Sequence, residues 1–71
     1  MIKYYADDYG NTAIIAAGYS RPYEGAPLMK DYTLSCIHKR DKRTYFLSVF
    51  ETMEEALEKL KEFSCGTFRE F

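Results

Sequence analysis

Only a few side chains of this 71-residue sequence could carry out chemistry: one histidine, His38; two cysteines, Cys36 and Cys65; and the adjacent carboxylates Asp7-Asp8. A lone histidine can act as a general base, a thiol as a nucleophile once its pKa is depressed, and paired carboxylates as acid and base. Each also has a plainer reading. Cys36 lies in the apolar alternation Leu34, Cys36, which suits a small buried hydrophobe. Cys65 follows a helical stretch, and a thiol there sees the end of the helix dipole that disfavours thiolate. A bond between the two stays open, because the helix is expected to cross the strand that carries Cys36. Asp7-Asp8 approach a turn and read as solvated, turn-forming residues. His38 reads as a packing or surface histidine.

No glycine-rich phosphate loop, G-x-S-x-G or H-E-x-x-H occurs. No C-x-x-C or H-x-x-x-H spacing offers the four ligands of a structural zinc site. The expectation is a protein that is not an enzyme and holds neither metal nor cofactor. Two distant cysteines are too few for a disulfide-stapled mini-domain, which points to reduced thiols and a cytoplasmic setting.

Binding residues are a better prospect. The stretch His38-Lys39-Arg40-Asp41-Lys42-Arg43 sets Lys39, Arg40, Lys42 and Arg43 against one aspartate, whereas residues 51–62 hold five glutamates against two lysines. Charge is thus polarised although the net value is only −1, too small an excess for a strong grip on duplex nucleic acid. Aromatics make up 17% of the chain, seven Tyr and five Phe, more than so small a core can bury completely.

These residues need elements to position them. Thr52-Met53-Glu54-Glu55 fits a capping box, and Met53, Ala56, Leu57, Leu60 and Phe63 then recur at helical spacing, which predicts a helix over 53–64 closed by Gly66. Residues 32–39 and 44–50 are β-rich runs around the charged tip. A two-residue loop at Asp41-Lys42 would pair Leu34 with Val49 and Cys36 with Leu47 beneath the helix, and would send Phe46 and Phe50 to the opposite face. Residues 2–6 and 12–19 read as a further hairpin, whose run Ala13–Ala17 suits a central strand covered on both sides, with a short helix left open by its periodicity. Residues 21–30, with two prolines and a glycine, read as a loop whose Tyr23, Leu28 and Met29 could fold over Phe46 and Phe50. The tail, 67–71, could add a short edge strand.

The reading is one α+β domain spanning residues 1–71: an antiparallel four-stranded sheet, built as two consecutive hairpins and packed on one face by a single C-terminal amphipathic helix, in the order β-β-β-β-α. No apolar run is long enough for a membrane span, and the first eight residues lack the layout of a secretory signal.

The stretch Arg43-Thr44-Tyr45-Phe46-Leu47-Ser48-Val49-Phe50-Glu51-Thr52-Met53-Glu54-Glu55-Ala56 resembles the last strand and helix start of AP2-type and phage-integrase arm-type DNA-binding domains. The resemblance covers about a fifth of the chain and implies a three-stranded antiparallel sheet with one helix. In those families Arg and Trp on the sheet face away from the helix read the major groove. On the register above, that face here carries Thr33, Ser35, Ile37, Phe46, Ser48 and Phe50 instead. The leading functional expectation is a non-catalytic interaction module, protein-binding or self-associating, with Phe46, Phe50 and Tyr23 at its surface. The alternative is a nucleic-acid-binding module using Lys39, Arg40, Lys42 and Arg43 on phosphates beside the sheet-face aromatics.

Overall fold

The structure is a computed structural model and describes all 71 residues. Four long strands, β1 (Ile2–Ala6), β2 (Thr12–Ser20), β3 (Met29–Ile37) and β4 (Thr44–Phe50), form an antiparallel meander. Helix α1 (Met53–Leu60) follows, then a 3-10 turn at Ser64–Gly66 and a short strand β5 (Arg69–Glu70). The sheet order is β4-β3-β2-β1-β5, so the tail does add an edge strand, beside β1. The α+β class and the β-β-β-β-α order are as expected.

α1 begins where its cap predicts: the Thr52 hydroxyl accepts from the Glu55 amide at 3.2 Å. It ends four residues earlier than the apolar spacing suggests. Phe63 is extended, and Ser64, Cys65 and Gly66 all take positive φ (51°, 54° and 76°), so the chain turns left-handed instead of continuing the helix. The Ser64 hydroxyl donates to Asp7, and this tether holds the turn against the β1–β2 connection. Gly66 therefore closes this turn and not the helix.

The core lies between α1 and one sheet face: Tyr5, Ala13, Ile15, Leu34 and Cys36 from the strands meet Ala56 and Leu60 from the helix, with Phe46, Phe50, Leu57 and Phe63 packed around them. β2 is central, but only one of its faces is covered; Ala13 and Ile15 are buried while Ile14 and Ala16 are only half-buried.

The β3–β4 register differs from the expected one. Leu34 pairs with Ser48, Ser35 with Leu47 and Cys36 with Phe46. The tip is a four-residue turn, closed by His38 N–H donating to the Arg43 carbonyl at 2.8 Å, with Lys42 at φ 59°. Two extra turn residues alone would leave every side chain on its expected face, because the strand period is two. A bulge between the pairs Cys36–Phe46 and Ile37–Thr44, with Tyr45 as the extra residue, then flips the remainder of β4. Phe46 and Phe50 thus pack on the helix side, and Leu47 and Val49 point away from it. The physical reason is area: a phenylalanine ring removes more apolar surface from water than leucine or valine, so two rings go inward.

Candidate functional site

The sheet face opposite α1 is bare. Its cross-strand rows run Ile2–Ala16–Thr33–Val49 and Tyr4–Ile14–Ser35–Leu47. Neither row contains a charge. Leu47 is 65% exposed, Val49 58%, Ile2 57% and Tyr4 48%. The Phe71 ring, itself exposed, lies 6.2 Å from Tyr4 and extends the patch past the β1 edge. Sheets with one solvated face normally alternate apolar inward and polar outward; here large apolar groups stand at both flanks of the outer face, with small residues between them. Contiguous exposed apolar surface of this kind marks contact sites.

The residues expected to bind are not brought together. Phe46 lies 4.9 Å from the Phe63 ring with the Lys59 ammonium over its face at 5.6 Å, and Phe50 packs against the core. Tyr23 is on the outside, 68% exposed, but at the opposite end of the strands from the basic tip. Its loop does not cover the phenylalanines. It folds on itself, with the Arg21 guanidinium donating to the Ala26 carbonyl at 2.7 Å and Leu28 exposed.

Lys39, Arg40, Lys42 and Arg43 are all exposed and cluster at the other end. There the β3–β4 turn meets the β1–β2 turn. The Lys39 amide donates to Asn11 Oδ1 at 2.9 Å, and the Lys39 side chain lies over Gly10, where an added Cβ would come within 2.8 Å of it. An open polar cleft results, lined by Tyr9, Asn11, His38, Lys39 and Arg40. Tyr9 was not singled out by any sequence pattern; only the meeting of two turns places its exposed ring among the cations.

No family model, curated protein or solved structure matches this chain.

Asp7 departs from expectation. It is 9% exposed, and its carboxylate accepts from the amides of Tyr9 (2.9 Å) and Asn11 (2.7 Å), the Asn11 side-chain amide (2.9 Å) and the Ser64 hydroxyl. Burial is the largest single influence and favours the neutral acid, but the four hydrogen bonds together outweigh it and leave the pKa below the ordinary aspartate value. Asp8 is the solvated member of the pair and faces Arg69 at 3.7 Å.

The two cysteines are unpaired. Burial pushes the Cys36 thiol up to about 11, partly offset by the neighbouring Tyr45 hydroxyl, so it stays protonated near neutral pH and unsuited to nucleophilic work. His38 is exposed, stacked edge-on to Tyr45 at 6.1 Å, with Asp41 3.9 Å from its Nδ1. No helix is long and apolar enough to cross a membrane.

Proposed function

We propose that this chain is a non-catalytic interaction module that engages protein through the outer face of its sheet. The observation that carries the reading is the uncharged pair of rows ending in Ile2, Tyr4, Leu47 and Val49, whose end residues are all exposed on the face away from the helix. A reducing, cytoplasmic setting belongs to the same reading and is supported by the unpaired thiols. Substituting Ile2→Lys with Tyr4→Lys tests it on the half of the face remote from β4. The variant stays folded, because both residues point to solvent, and it loses whatever association the outer face makes, whether a face-to-face contact between copies or a protein retained from cell extract. A native chain that stays monomeric and retains nothing beyond what the variant retains overturns the proposal.

A second reading has its own observation, the exposed Tyr9 ring beside Lys39 and Arg40. An aromatic next to exposed cations is the arrangement with which proteins stack and neutralise single-stranded nucleic acid. Phe46 takes no part in it, being packed beneath the helix. Binding of a labelled single strand would weaken with rising salt, and Arg40→Glu with Arg43→Glu would cost about tenfold in affinity. Absence of binding at low salt removes this reading and leaves the first untouched.

A further inference from the structure

The two edges of the sheet are treated differently. The β1 edge is covered over Tyr4–Ala6: β5 pairs with Tyr5 and Ala6, the Phe71 amide donates to the Tyr4 carbonyl at 3.0 Å, and the Lys3 side chain is held by Glu70 at 3.0 Å. The β4 edge is open over its whole length, since β4 is terminal in the strand order. Natural sheets guard such edges with charge, proline or distortion. Thr44-Tyr45-Phe46-Leu47-Ser48-Val49-Phe50 contains no charge and no proline, and its one bulge lies at its beginning, leaving Phe46–Phe50 regular.

We propose that β4 pairs with β4 of a second copy of this chain, antiparallel about a two-fold axis at Leu47, which joins two five-stranded sheets into one. This rests on the interaction-module reading and names the partner. The choice of a second copy comes from charge. β4 runs from the basic tip to the acidic start of α1, so antiparallel self-pairing lays each basic end beside the other copy's acidic end. With Leu47 on the axis, the basic turn ending at Lys42-Arg43, drawn one position nearer the axis by the bulge at Tyr45, lies at the same end of the paired strands as Glu51 of the second copy, and the juxtaposition occurs twice. Arg43 and Glu51 are both exposed and neither has an ion-pair partner within its own chain. Parallel pairing would instead set like charges side by side. Self-pairing also makes the outer faces continuous, with Leu47 and Val49 of both copies at the centre of a doubled surface.

Sedimentation of the full chain under reducing conditions, up to high micromolar concentration, tests this with substitutions that leave the core alone. The native chain shows a reversible monomer–dimer equilibrium. Arg43→Glu and Glu51→Arg each weaken it about tenfold, and combining them restores it. Independently, with Cys65→Ser removing the exposed thiol, Leu47→Cys cross-links to a dimer on mild oxidation, because the self-paired residue meets its own copy within disulfide reach. Val49→Cys does not cross-link, being displaced from its own copy along the strand. A chain monomeric at every concentration overturns the proposal, as does a dimer indifferent to both charge reversals. A dimer that survives them but dissolves on Ile2→Lys with Tyr4→Lys overturns β4 pairing while leaving the outer face as the contact surface.

Discussion

Replacing Asp7 by alanine lowers stability by about 2–4 kcal/mol, much of the ~4–10 kcal/mol expected for a chain of this length. The carboxylate is the only acceptor shown for the Tyr9 amide, the Asn11 side-chain amide and the Ser64 hydroxyl, and it also takes a bond from the Asn11 amide. Alanine leaves these donors, in a part-buried site, without that partner. The loss also spreads beyond one turn. Through Ser64 the same carboxylate fastens the chain leaving α1, and the Asp8 amide beside it donates to Thr67 at 3.2 Å. Thermal unfolding is the direct measurement: a drop in Tm of roughly 10–25 °C is expected for a domain of this size. A change of a degree or two would mean the donors find water and the carboxylate has little structural role.

Acid gives a second signature of the same group. The pKa of Asp7 in the folded chain lies below its unfolded value, so between the two the unfolded state binds more protons, and stability rises with pH. The contribution is complete above the unfolded value, about 4, and is lost as pH falls through the lower folded value. Asp7→Asn keeps the shape without the charge. The stability gap between native chain and variant is accordingly constant near neutrality and closes below about pH 4; chemical denaturation across that range measures it.

The fold was largely legible in the residues, for reasons that are local. α1 announces itself because a cap and a stripe of apolar residues coincide at Thr52–Leu60, and the strands because β-branched and aromatic runs alternate with turn residues. What the sequence could not supply were features decided by long-range competition. Asp7 looks like any turn aspartate until Ser64, 57 positions away, comes to it. Helix spacing continues through Phe63, yet α1 ends at Leu60 and the chain is already extended at Phe63 before Ser64 reaches Asp7. Tyr9 joins the cations only because two turns distant in sequence meet at one end of the sheet. Of the expected binding residues, the four at the basic tip do cluster, while Phe46 and Phe50 pack on the helix side of the sheet and Tyr23 is exposed at the far end of the strands. The outer apolar face was legible in kind, as a surplus of apolar surface, but assigned to the wrong residues of β4.

That misassignment turns on one residue, and it yields the second large effect. Phe46→Ala costs about 2–4 kcal/mol, whereas Leu47→Ala, its immediate neighbour, changes stability by no more than about 0.5 kcal/mol. Simple alternation from a two-residue turn would reverse that order, putting Leu47 against Cys36 beneath the helix and Phe46 in water. The bulge at Tyr45 decides between them. It makes Phe46 the partner of Cys36 and seats the ring against Phe63, while Tyr45 itself turns its ring to Phe63 at 6.0 Å. Truncating Phe46 opens a gap between β4 and the chain leaving α1 that neither Tyr45 nor Phe63, each fixed by its own backbone, can close. Truncating Leu47 removes surface already in water. Urea unfolding of the two variants side by side reads the register without a structure: a leucine variant as damaging as the phenylalanine one would place the bulge elsewhere, and with it both the outer face and the axis on which β4 would pair.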